Sequence, residues 1–143
     1  MNALEPSELL EKLIDAGFRR AAGVPCSTLA GLFDTLEGGR IPYANAPNEG
    51  EALAYAAGSW LGGEHAAVIC QNSGLGNLYN ALTSLLATYR IPALLLCGFR
   101  GAPPFNDEPQ HQLMGAISAS VLQLAEARLT TVRRAEELLR FVD

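Results

Sequence analysis

Positive charge is scarce in this chain. Lys and Arg number 10 against 15 Asp and Glu, giving a formal net charge of −5, and they form no basic block. Electrostatics therefore tells against a nucleic-acid partner. Long apolar runs are also missing: none approaches the roughly 18 residues of a membrane span, so no membrane partner is expected. The N-terminus carries acids instead of a basic segment and an apolar core, so no secretory signal is expected. The 3 cysteines, Cys26, Cys70 and Cys97, are odd in number and lack metal-ligand spacing. That excludes a disulfide framework, leaves no metal ligand to name, and fits reduced thiols in the cytoplasm. Neither Gly-x-Gly-x-x-Gly nor a Gly-Lys-Ser/Thr loop occurs, which weakens the reading as a nucleotide-binding domain.

What is present is apolar surface. Hydrophobic residues make up 49% of the 143 residues and charged ones 17%. A single domain, residues 1–143, suits that length. The balance fits a buried parallel sheet, or a subunit that hides surface in a partner. Leu9, Leu10, Leu13 and Ile14 lie on one helix face that starts at Pro6-Ser7 and stops at Gly17. Phe18 to Val24 is a short strand. Ser27 is positioned to cap a helix over Thr28 to Leu36. Ile41 to Ala44 is a weak strand, and a helix runs from Glu49 to Leu61. Ala66 to Cys70 and Pro92 to Cys97 are buried strands. A helix from about Leu78 to Tyr89 lies between them. Residues 98–111 read as a long loop. A helix from about Gly115 to Ala127, a strand near Leu129 to Val132 and a helix from Arg134 to Phe141 complete the chain.

This alternation indicates an α/β fold: a doubly wound, mostly parallel sheet with helices on both faces. Ligands in such folds sit at the carboxyl ends of the strands. The turns Pro25-Cys26-Ser27, Asn48-Glu49, Asn72-Ser73-Gly74 and the 98–111 loop all follow strands, so they gather at one edge. Glu49 opens a helix of small residues, Ala52 to Leu61, that allows close packing. A carboxylate there either caps the helix or does chemistry. Gly74-Leu75-Gly76 is a tight strand-to-helix turn and a weak phosphate motif. Ser27 alone reads as a cap before a ligand, and Cys26 as packing before a nucleophile. Arg100, directly after an apolar strand, suits an anion. Asp107-Glu108-Pro109-Gln110-His111 reads as a solvated turn that could also present His111.

In order and spacing, Gly23-Val24-Pro25-Cys26-Ser27, Asn48-Glu49-Gly50-Glu51-Ala52, Gln71-Asn72-Ser73-Gly74-Leu75-Gly76-Asn77, Ile91-Pro92 with Arg100-Gly101, and Asp107 to His111 resemble one family. It is the pyrimidine-binding (PYR) domain of thiamine-diphosphate-dependent decarboxylases. Within it the pattern is most similar to the phosphonopyruvate enzymes, then to the α subunits of the sulfopyruvate enzymes. The resemblance implies that Glu49 is catalytic, hydrogen-bonding the aminopyrimidine ring of thiamine diphosphate. It implies that Pro25, Asn72, Ser73, Gly74 and Asn77 line the cofactor. Ser27, Cys26, Asn72, Arg100 and His111 then face an anionic 2-keto acid, and His111 or Gln110 relays a proton. The family's second domain holds Mg²⁺ and diphosphate with Gly-Asp-Gly followed by Asn, a pattern this sequence lacks. The resemblance therefore implies a separate PP-domain (β) subunit and a hetero-oligomer such as α₂β₂. The chain also ends without the expected last strand. Other readings are a sulfopyruvate decarboxylase α subunit, on a coenzyme M route rather than one to phosphonates, and a non-catalytic scaffold subunit.

Overall fold

The computed structural model describes residues 5–102 and 107–142. Helix α1 spans Pro6–Asp15, with proline in its first turn and Leu9, Leu10 and Leu13 buried. The proline's fixed φ and missing N–H suit that position. Strand β1 is Phe18–Gly23, followed by a 3₁₀ turn at Ser27–Leu29 and helix α2 at Ala30–Glu37. Strand β2 is the short Tyr43–Asn45. Helix α3 spans Glu49–Leu61, and strand β3 spans His65–Gln71. A 3₁₀ turn at Asn72–Gly74 leads into α4, Leu75–Ala81, which runs on as a π-helical stretch at Leu82–Ala87. Strand β4 is Leu94–Gly98, helix α5 is Pro109–Leu124 and helix α6 is Glu136–Val142.

The strands form one parallel sheet in the order β2-β1-β3-β4. Parallel strands need crossovers, and α2, α3 and α4 supply them. The pleat sorts side chains between two cores. On one face Ala67 and Ile69 of β3 meet Leu9, Leu10 and Leu13 of α1, Leu32, Phe33 and Leu36 of α2, and Leu138 of α6. On the other, Ala66, Val68 and Cys70 meet Ala52, Leu53, Ala56 and Ala57 of α3, Leu75 and Leu78 of α4, and Leu122 of α5. Burial on both sides explains why β3 is an unbroken apolar run. The strand order reverses between β1 and β3, which puts a crevice beyond their carboxyl ends.

Four expectations change. The β-branched run near Leu129 to Val132 forms no strand; Leu129, Thr130 and Thr131 are exposed there. Strand propensity acts only where an edge pairs and a face is buried. Helix α5 starts at Pro109, not Gly115, so Gln110 and His111 lie in its first turn. Helix α4 starts at Leu75, three residues before Leu78, directly after the turn that carries Asn72 to Gly74. Ser27 does not cap a helix: it opens the 3₁₀ turn, and its hydroxyl makes no capping bond. Residues 103–106, in the expected 98–111 loop, lie outside the described residues.

Candidate active site

The site begins with the cap of α3. Asn48 is the N-cap: its Oδ1 accepts from the Glu51 N–H at 3.0 Å, and its Nδ2 donates to Glu51 Oε1 at 3.2 Å. This Asn-x-x-Glu pairing satisfies the free N–H that a helix start leaves open. Glu49 is thereby released from capping. It is the first helical residue, where the helix dipole favours negative charge.

The Glu49 side chain turns inward and is only 7% exposed. Asn77, in the first turn of α4, donates from Nδ2 to Glu49 Oε2 at 2.8 Å. The carboxylate lies flat against Gly74. A Cβ on Gly74 would come within 2.6 Å of Glu49 Cγ and closer still to its Cδ and Oε1. Among the described residues no Lys, Arg or His pairs with Glu49. A buried carboxylate without a cation is costly unless a donor completes its hydrogen bonding. Oε2 has its donor. Oε1 has none within the described residues.

Beside this pair, a second cluster ties β3 to β4 and α5. Asn72 is fully buried. Its Oδ1 accepts from the Arg100 N–H at 2.9 Å, and its Nδ2 donates to the Arg100 carbonyl at 2.8 Å and to Ser118 Oγ at 3.1 Å. Ser118 Oγ in turn donates to the Met114 carbonyl. The Asn72 amide thus extends the β3–β4 pairing one step past the strand ends. Ser73 is exposed, and its hydroxyl accepts from Gln71 Nε2 at 2.7 Å. Asn72 and Gly74 are two residues apart, so the Asn72–Gly74 turn spans both clusters.

Arg100 does not present a free guanidinium. Its Nε donates to Asp107 Oδ2 at 2.7 Å, and its Nη2 donates to Oδ1. The N–H of Gly101 and that of Glu108 also donate to the Asp107 carboxylate, at 2.9 and 2.8 Å. Arg100 and these two N–H groups hold the Asp107 carboxyl well below the usual carboxylate range. The clamp closes the loop's base where α5 begins. Gly101, at φ +70°, is pressed against α5: a Cβ there would overlap the His111 carbonyl. His111 is partly buried, and its Nδ1 finds no hydrogen-bond partner within the described residues. Gln110 is exposed.

The clamp carries a prediction. Because the folded carboxyl is held low, its stabilising contribution is full above the ordinary carboxylate range. It is lost as pH falls through the depressed value. Asp107→Asn should speed amide hydrogen exchange at Gly101 and Glu108 while leaving β1 and β3 protected. Unchanged exchange at those two amides would show that the ion pair is idle.

The turn after β1 makes no hydrogen bond to Glu49 among the described residues. Thr28 and Leu29 pack over Gly98 at the end of β4. Cys26 Sγ lies 3.3 Å from Thr28 Oγ1 and is partly buried against the first core. Pro25 and Ser27 are exposed. Cys70 and Cys97 are register partners on β3 and β4. The neighbouring Cys97 thiol and burial push the Cys70 thiol far up, so it stays protonated.

Residues 7–123 match the family described as thiamine pyrophosphate enzyme, N-terminal TPP binding domain. The chain belongs to this family. It is 43% identical over 138 residues to a phosphonopyruvate decarboxylase of Streptomyces hygroscopicus, covering 96% of this chain and 34% of that protein. With the phosphonopyruvate decarboxylase of Streptomyces viridochromogenes the identity is 46% over 121 residues, covering 84% and 30%. A sulfopyruvate decarboxylase subunit alpha of Methanococcus maripaludis is 35% identical over 144 residues, covering 99% of this chain and 84% of that one. The chain thus spans about a third of the length of the phosphonopyruvate decarboxylases it matches. Across the TPP-binding domain, Glu49, Gly74 and Asn77 are drawn together, and Asn72 joins Arg100. The sequence reading missed Asn48 as the cap, Asp107 as the partner of Arg100, and Ser118. Only the first had a local signal, the Asn-x-x-Glu spacing.

Proposed function

We propose that this chain is the PYR half of a thiamine-diphosphate-dependent decarboxylase that converts phosphonopyruvate to phosphonoacetaldehyde and CO₂. The observation that carries the reading is Glu49: a nearly buried carboxylate with one oxygen bonded by a neutral amide and, among the described residues, no donor to the other and no cation beside it. That is the donor set for a ring nitrogen that shares a proton. The residues present therefore fit the aminopyrimidine of thiamine diphosphate. Bound, the cofactor supplies the electron sink for decarboxylation. The chain's own part is to hold the ring through Glu49 and to shape its floor with the turn Asn72-Ser73-Gly74. Pro25, Cys26 and Ser27 form a second wall of the same edge.

The Arg100–Asp107 clamp fixes the base of the loop that faces the substrate. His111 and Gln110 open α5 beside it, and one of them relays the proton in this reading. Substrate oxygens are met by the N–H groups and hydroxyls of this edge, with Arg100 contributing through the clamp. Mg²⁺ and the diphosphate fall to a PP-domain subunit, and the working unit is a cytoplasmic hetero-oligomer. The substrate assignment follows the higher identity to the phosphonopyruvate enzymes. One observation favours a second reading: the match to a protein named as a sulfopyruvate decarboxylase subunit alpha extends over 84% of that protein.

The test is reconstitution. The chain alone should bind thiamine diphosphate weakly and release no CO₂. Combined with a PP-domain partner and Mg²⁺, it should decarboxylate phosphonopyruvate faster than sulfopyruvate at equal concentration. The reverse order would favour the second reading. Inactivity on both keto acids, with the cofactor bound, would leave a scaffold subunit.

A further inference from the structure

We propose that Asn77 is the positioning residue that orients Glu49, so that Oε1 alone faces the bound ring; this rests on the proposed role of Glu49. A carboxylate's last torsion is broad and nearly two-fold, so burial alone does not choose which oxygen points outward. Two contacts choose it here. Asn77 Nδ2 holds Oε2 at 2.8 Å. Gly74 lies flush against Cγ, Cδ and Oε1, which blocks rotation toward the turn at Asn72–Gly74. Asn77 is itself held by backbone. It stands in the first turn of α4, and a Cβ on Gly50 would lie 2.9 Å from the Asn77 carbonyl. The backbones of α3 and α4 therefore meet at the level of the amide, and the donor cannot drift from its acceptor.

The type of donor matters as much as its place. Lys or Arg at this position would form an ion pair with Glu49 and hold its charge against the ring. An amide orients the carboxylate without neutralising it. It leaves the proton-sharing interaction to the ring nitrogen. Asn77 is exposed at its own surface, so packing gives no reason for asparagine there. Alanine is the better helix former at such a site.

The test compares Asn77→Ala, the near-isosteric Asn77→Asp and Glu49→Gln in the chain joined to its partner subunit. Deuterium exchange at C2 of the cofactor should slow about 10- to 100-fold in Asn77→Ala, the scale of losing a hydrogen bond to a charged group. In Asn77→Asp, where two acceptors face each other, it should slow further. The apparent cofactor affinity should change little, while the melting temperature of Asn77→Ala should fall modestly, because the buried carboxylate loses its donor. A readout without cofactor comes from NMR of the full chain. One Nδ2 proton of Asn77 should resonate downfield of its twin and move toward it in Glu49→Ala. Normal exchange in both Asn77 variants, with exchange lost in Glu49→Gln, would overturn the positioning role and leave the role of Glu49 standing. Normal exchange in Glu49→Gln would overturn that role, and this inference with it.

Discussion

Glu49→Gln should lower kcat by about 10²–10⁴-fold, the range of a lost acid–base contribution, with the melting temperature almost unchanged. Glutamine keeps the length of the side chain, and its carbonyl oxygen can still accept from Asn77 Nδ2. The fold therefore loses nothing at this point. What changes is the other terminus, which becomes an NH₂ group. It donates, but it cannot take and return a proton. Deuterium exchange at C2 of the cofactor, measured in the reconstituted complex, isolates that step from substrate binding. The opposite pattern belongs to the neighbouring residue. Asn48 holds the α3 cap through the Glu51 N–H at 3.0 Å. Asn48→Ala should cost about 1 kcal/mol of stability and leave C2 exchange in place. Should Glu49→Gln destabilise the chain while exchanging normally, the carboxylate is structural and the proposed function fails.

The second large effect is expected at Gly74. Its φ of −85° and ψ of −2° are open to any residue, so backbone freedom is not why glycine stands there. The reason is space. The Cβ of alanine would occupy the volume of the Glu49 carboxylate. Gly74→Ala must displace the carboxylate or the turn. Overpacking of this kind costs about 1–3 kcal/mol. A misplacement of about 1 Å at a reacting group costs on the order of 10²-fold in rate. Gly74→Ala should therefore fall toward Glu49→Gln in activity and below it in stability. The double variant Glu49→Ala/Gly74→Ala separates the two costs. With the carboxylate gone, the added methyl has room, so most of the stability should return. If Gly74→Ala alone is fully active, Glu49 is free to move and the packed geometry is irrelevant to catalysis.

Much of this is legible in the sequence. The two-sided apolar runs of β3 and β4 and the start of α3 at Glu49 follow from local pattern, and the strand-end turns follow from topology. The role of Glu49 as other than a cap was also within reach, because Asn48 and Glu51 bear the capping spacing themselves. Pro109 likewise signals a helix start, though the surrounding polar residues made the stretch read as a turn. The remaining features depend on distant partners. Arg100 looked like an available cation because nothing in its neighbourhood says that Asp107 folds back onto it. That Asn72 is buried and bonded to Arg100 and Ser118 rests on partners 28 and 46 positions away. Leu129 to Val132 had strand composition, and only the sheet could show that no strand forms there.

The Asn72 amide has a consequence for engineering. By gripping both the N–H and the carbonyl of Arg100, it makes the turn after β3 and the base of the loop after β4 one mechanical part. Ser118 then fastens that part to α5. If the proposed function holds, a loop graft intended to change keto-acid preference cannot treat residues 98–108 as a detachable cassette. Unless position 72, position 118 and the opening turns of α5 travel with it, the transplanted loop arrives with its anchor left behind. The unit of exchange in this scaffold is the turn at Asn72 together with the continuous stretch from 98 to 118, distant from each other in sequence and joined in space.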